Sequence, residues 1–164
     1  MVESGLRKRI GAGELSGLFV VAGEEKYLVK RLAQQLIKRA AGDAFPEFNN
    51  QAFTNDSSLD SVGDAAQALP FFAQRKCVSV ADFDVEAKSP QELEKLYELW
   101  ELAPESTTLV FWYPTLDFDG KRSSKWRKFL KQAEERGTVA LCARRGQGDL
   151  LRFVTREAEK AGCA

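Results

Sequence analysis

Short apolar runs and amphipathic stretches alternate along this 164-residue chain, and their spacing predicts strands and helices in strict succession. Gly17-Leu18-Phe19-Val20-Val21-Ala22 is continuous, apolar and β-rich, the pattern of a strand covered on both faces. Over residues 25–40, Leu28, Val29, Leu32, Ala33, Leu36, Ile37 and Ala40 recur at helical spacing. Residues 48–54 read as a second strand, interrupted by Asn49, Asn50 and Gln51, and Ser57 or Ser58 caps a helix running to Leu69. Cys77-Val78-Ser79-Val80 supplies a third strand. In Ser89-Pro90-Gln91-Glu92 the serine caps, the proline suits the first helical position and the glutamate returns a bond to the cap amide. Leu93, Leu96, Tyr97 and Trp100 mark the buried face of the helix that follows.

Thr107-Thr108-Leu109-Val110-Phe111-Trp112-Tyr113 is the clearest buried strand. Trp126, Phe129, Leu130 and Ala133 mark another helix, with Gly137 as an expected left-handed cap, before a fifth strand in Thr138-Val139-Ala140-Leu141-Cys142. The alternation predicts an α/β fold: a five-stranded parallel sheet with helices on both faces and right-handed crossovers. Past Arg144-Arg145-Gly146-Gln147-Gly148, one more helix over 149–161 reads as the opening of a second domain, so 1–145 and 146–164 are separate units.

One place breaks the polar pattern expected of a turn. Pro70 lacks an amide hydrogen and disfavours helix at Leu69, yet the turn it makes carries Phe71 and Phe72. Burying one Phe gains about 1.5–3 kcal/mol, so an exposed pair would suit a partner's pocket. The other reading folds both rings into the chain's own core.

Charge and composition narrow the chemistry. Lys+Arg and Asp+Glu number 24 each, so the overall balance draws the chain to neither nucleic acid nor an anionic membrane. There is no histidine, which excludes Ser-His-Asp and Cys-His catalysis and removes the commonest metal ligand. Cys77, Cys142 and Cys163 are odd in number and widely spaced, as for buried thiols in a reducing compartment. No apolar run reaches membrane-spanning length and residues 1–13 lack a signal core, so a soluble cytoplasmic protein is the expectation.

A five-stranded parallel sheet invites a nucleotide at the turn after its first strand. That turn reads Gly23-Glu24-Glu25-Lys26-Tyr27-Leu28: one glycine, and two carboxylates where phosphates would lie. Glu24 and Glu25 suit the positive end of their own helix, and Lys26 reads as a solvated surface charge. Asp117 and Asp119 offer two ligands for a metal, too few for a site, and read more simply as a turn. No cofactor and no metal are expected. A receiver-like or flavodoxin-like regulatory domain would need acids clustered at its strand ends. The first strand ends without one, and Asp82 and Asp84 lie just past the third. An unusual nucleotide-binding protein is the other alternative.

Leu18-Phe19 with Gly23-Glu24-Glu25-Lys26-Tyr27-Leu28-Val29 forms one stretch, Gln67-Ala68-Leu69-Pro70-Phe71-Phe72-Ala73-Gln74-Arg75-Lys76 a second, and Leu109-Val110-Phe111 with Lys121-Arg122-Ser123-Ser124-Lys125 a third. Together they resemble the delta subunit of the bacterial DNA polymerase III clamp loader. The terminal Leu150-Leu151-Arg152-Phe153-Val154 also follows its rhythm. The resemblance implies an AAA+-like domain with a degenerate phosphate loop, followed by the first helix of a lid domain. It implies a non-ATPase subunit that binds the ring-shaped sliding clamp (the beta subunit) through a hydrophobic pair and opens one seam for loading onto primed DNA. Gamma or tau and delta prime subunits would be its neighbours in the loader, and the assembled loader would hold the DNA. The matching residues are Phe71 and Phe72 with Leu69 and Pro70 supporting the turn; the family often has Leu-Phe where Phe-Phe stands here. Lys121, Arg122, Lys125 and Lys128, with Arg127 and Lys131, form a basic cluster around Trp126. It reads either as a DNA-proximal surface or as a solvated helix face with Trp126 in the core.

Overall fold

The computed structural model describes residues 3–117 and 123–143. In chain order the elements are α1 (Glu3–Ala12), β1 (Gly17–Gly23), α2 (Lys26–Ala41), α3 (Pro46–Asn49), β2 (Asn50–Thr54) and α4 (Leu59–Gln67). There follow β3 (Lys76–Ala81), a 3₁₀ turn (Val85–Ala87), α5 (Pro90–Leu102), β4 (Thr107–Trp112), α6 (Ser124–Arg136) and β5 (Gly137–Cys142). The strands lie in the order β2-β3-β4-β1-β5, and every neighbouring pair is parallel.

Side-chain alternation along the strands divides the core into two layers. Phe19 and Val21 point to the face covered by α1 and α2, where they meet Leu6, Leu28, Leu32 and Leu36. Val20, Val78, Leu109 and Phe111 point to the face covered by α4, α5 and α6, among Leu96, Trp100, Trp126 and Phe129. Aromatic rings tie this second layer together, with Trp100 5.5 Å from Phe111 and Trp126 5.6 Å from Phe129 between centroids. Two buried hydroxyls of this layer are bonded: Thr107 donates to the Ala66 carbonyl at 2.7 Å, and Tyr113 donates to the Phe83 carbonyl at 2.8 Å.

The predicted helix starts form as read. Ser58 accepts from the Ser61 amide at 3.1 Å. Ser89 and Glu92 exchange both bonds of the capping box, at 3.2 and 3.3 Å. Ser123, which the sequence reading gave no capping role, caps α6 at the Trp126 amide.

Three expectations need correcting, and helix α1 was not expected from the sequence. The N-terminal stretch, charged and without an apolar signal core, forms α1 because Leu6 and Ile10, one turn apart, bury a narrow stripe. The second strand begins at Asn50 rather than at residue 48: Pro46 has its φ preset for a helical turn, and Phe48 and Asn49 complete that turn as α3. Helix α4 stops at Gln67, and Ala68 already has extended dihedrals, short of the expected end at Leu69. Gly137 is not a left-handed cap; at φ −164° it is extended and opens β5. Glycine is needed there for space, since a Cβ would lie 2.3 Å from the Leu18 carbonyl oxygen of the paired strand. The helix expected over 149–161 and the boundary at 145/146 lie outside the described residues.

Candidate functional site

The sheet order reverses at β1, so the cleft at its carboxyl end, facing the start of α2, is where a parallel α/β fold would receive a nucleotide. The chain itself occupies the groups that such a ligand needs. Gly23 has φ 137°, and a Cβ on it would sit 2.3 Å from the Cys142 carbonyl oxygen, so this glycine serves the packing of β1 on β5. The Glu25 amide, at the helix start, donates to that same Cys142 carbonyl at 3.1 Å. Lys26 is not the solvated charge expected. Its ammonium donates to the carbonyls of Tyr113 (3.2 Å) and Leu116 (2.9 Å) and pairs with Asp117 at 3.2 Å, clipping α2 to the loop after β4.

The acids of the receiver-like alternative are likewise turn clasps. Asp82, at φ 55°, accepts from the amides of Thr115 (3.2 Å) and Leu116 (2.9 Å) and from the Thr115 hydroxyl. Asp84 caps the 3₁₀ turn at the Glu86 amide, 3.1 Å away. Among the described residues no group of three or more His, Cys, Asp or Glu is placed to hold a metal. Burial pushes the Cys77 thiol up to about 12 and the Cys142 thiol up to about 11, so both stay protonated near neutrality.

The Leu69–Phe72 turn lies away from this cleft, beside the edge strand β2. Leu69 is 81% exposed, Phe72 79% and Phe71 39%. Two phenylalanines that periodicity did not single out join them: Phe45 and Phe48 are both exposed, one just before α3 and one within it. Phe71 is the hub, with its ring centroid 4.9 Å from Phe45, 4.7 Å from Phe48 and 4.7 Å from Phe72. Phe45 also stands 5.7 Å from Phe72. Each such aromatic pair contributes about 0.5–1.5 kcal/mol beyond its area burial. A groove of about 490 Å³ runs alongside, lined by Phe48, Phe53, Ala65, Leu69, Phe71 and Lys76, among others.

The backbone beneath these rings is unusual. Phe45 (φ 44°) and Phe72 (φ 50°) both occupy the left-handed region, which costs an L-residue with a Cβ about 1–2 kcal/mol. Asn49, fully buried, lies between them. Its Oδ1 accepts from the Phe71 amide at 2.7 Å, and its Nδ2 donates to the carbonyls of Phe71 and Ala44, each at 2.8 Å. Sequence reading placed Asn49 in a strand and gave it no role, because its partner is 22 residues away. A polar residue between two aromatic-rich segments was the available signal.

Two lysines of the basic cluster have partners within the fold. The Lys125 ammonium donates to the carbonyls of Lys88 (2.7 Å) and Glu86 (3.3 Å). Lys128 pairs with Glu94 at 3.7 Å and lies over the Tyr97 ring, while Trp126 is buried in the core. Lys121 and Arg122 lie outside the described residues.

These features define a class: a parallel α/β domain whose turn after the first strand is tied down by its own hydrogen bonds, with an exposed aromatic turn beside its edge strand. Residues 19–140 match the family model for DNA polymerase III, delta subunit, and the chain belongs to that family. Among solved structures, the Bacillus subtilis DNA clamp loader delta protein is similar at a TM-score of 0.76 and 17% identity, over 98% of this chain and 48% of that one. A DNA polymerase III gamma subunit-related protein from Thermotoga maritima is similar at a TM-score of 0.55 and 14% identity, over 90% of this chain and 47% of that one. The chain thus spans about half the length of either structure. No curated protein matches it in sequence.

Proposed function

We propose that this chain is the clamp-contacting part of a clamp-loader delta subunit, docking the Phe71–Phe72 turn into an apolar pocket on the sliding clamp and favouring the ring's open form. The observation that carries this reading is the exposure of Phe72 and Leu69, 79% and 81%, on a proline turn within a chain of the delta family. Large apolar groups held in water at the end of a helix lose that unfavourable hydration on docking. A partner shifts a closed–open balance only by binding the open form more tightly. The aromatic turn supplies that difference, with Pro70 setting its direction.

Catalysis is left to other subunits of the loader, in keeping with the cleft's Glu25, Lys26 and Gly23 being committed to the fold. Gamma or tau, delta prime and primed DNA are reached through the assembled loader. Residues 146–164 belong in this reading to the start of the lid domain. The F71A/F72A variant, assayed where it remains folded because its lost ring contacts lower the melting temperature, is expected to lose about 4 kcal/mol of clamp affinity in an equilibrium binding assay. Wild-type affinity in that variant sinks the proposal.

A further inference from the structure

We propose that Asn49 is a positioning residue for clamp docking: its carboxamide locks the backbone of the Phe71–Phe72 turn and so aims both rings outward. The inference rests on the docking role of that turn and adds a residue that does not itself meet the clamp. Its basis is a pairing in the hydrogen bonds. The two carbonyls that accept from Nδ2 belong to Ala44 and Phe71, each immediately before a phenylalanine with left-handed φ, Phe45 and Phe72. One buried NH₂ group therefore holds both peptide planes that lead into strained residues. The Oδ1 atom of the same group takes the Phe71 amide, so Phe71 is gripped at its N–H and its C=O.

Only a primary carboxamide satisfies this set. A carboxylate would keep the acceptor but turn its second oxygen toward two carbonyls; a hydroxyl has too few donors; an apolar side chain would leave the Phe71 amide without its partner. The opposite placement of O and N would face an NH₂ to an N–H and an oxygen to two carbonyls, so the network fixes the orientation. Left-handed backbone at a non-glycine residue persists where its surroundings over-determine it, and such positions gather at binding sites. Here the surroundings are Asn49 and the ring of Phe45, which touches both Phe71 and Phe72.

The test is a double-mutant cycle in the full chain, with clamp affinity and amide hydrogen exchange as readouts. N49A and the isosteric N49D are measured alone and combined with F71A/F72A. The expected result is at least a tenfold loss of clamp affinity for N49A or N49D, no further loss when either is added to F71A/F72A, and faster exchange at the Phe71 amide with core amides unchanged. Wild-type affinity in N49A and N49D, alongside weak binding by F71A/F72A, overturns the positioning role while leaving the docking role intact. An equal loss in both backgrounds, or faster exchange throughout the sheet, reduces Asn49 to a general structural residue. Wild-type affinity in F71A/F72A removes the docking role and the positioning role together. Melting temperatures of all variants are measured first, and affinities are compared at a temperature where each remains folded.

Discussion

Several single residues in this domain have one geometric duty, and Gly137 is the sharpest case. Its dihedrals are open to any residue, but a Cβ would stand 2.3 Å from the Leu18 carbonyl oxygen and 2.8 Å from the Leu18 Cβ. Strands β1 and β5 would have to part at their first pair. G137A is therefore expected to destabilise the fold by roughly 3 kcal/mol, the upper part of the range for overpacking, in denaturant titration. A loss below about 1 kcal/mol would mean that the strands give way easily there. Asn49 has the opposite character: no steric exclusion, but three bonds that its amide alone supplies.

At the scale of elements, the strongly patterned segments were legible from sequence because their signals are local. The apolar runs of β1, β3 and β4 and the Ser89–Glu92 capping box form as read, since each depends on neighbours within a few positions. What was not legible depends on distant partners. Gly137 follows a helix, where glycine has two uses, and only its pairing with Leu18 decides between them. Phe48 and Asn49 are the exception: they fit the start of a strand by composition, although Pro46, two residues before Phe48, is a local helix-start signal. The Phe71–Phe72 turn was legible as an anomaly, but its links to Phe45 and Asn49 were not.

Strand β3 also carries a testable cost. Lys76, its first residue, is buried at the floor of the aromatic groove, where its ammonium donates to the neutral Gln51 side chain at 3.0 Å. Burial lowers its pKa below the ordinary 10.5. A base whose folded pKa is depressed binds its proton less well than in the unfolded chain, so the folded state gains stability as pH rises toward 10.5. K76M removes the buried charge and keeps the stem's volume. It is expected to raise stability by ~1 kcal/mol at pH 7, with the advantage over wild type shrinking as the solution is made alkaline. Denaturant titrations at several pH values check this; a gain that does not vary with pH would assign the cost to packing instead of charge.

In the molecule as a whole, the cleft at the end of β1 and the aromatic turn beside β2 lie apart and are held by separate hydrogen bonds. The fold is shared with a gamma subunit-related protein, yet this chain's own hydrogen bonds occupy the cleft. Mg-ATP at millimolar concentration is therefore expected to leave the melting temperature unchanged, because a ligand raises it only by binding the native state. A rise of several degrees that saturates with ATP would restore the nucleotide-binding alternative.

The bond from the Glu25 amide to the Cys142 carbonyl has a consequence for protein engineering. Grafting a glycine-rich sequence and a lysine between positions 23 and 28 would not by itself yield a triphosphate receptor, since the fifth strand's last carbonyl already claims the amide that the phosphate would need. A designer would first have to retract that strand's end and release the lysine from the loop after the fourth. Installing triphosphate binding in this scaffold is thus a backbone redesign rather than a short series of point changes.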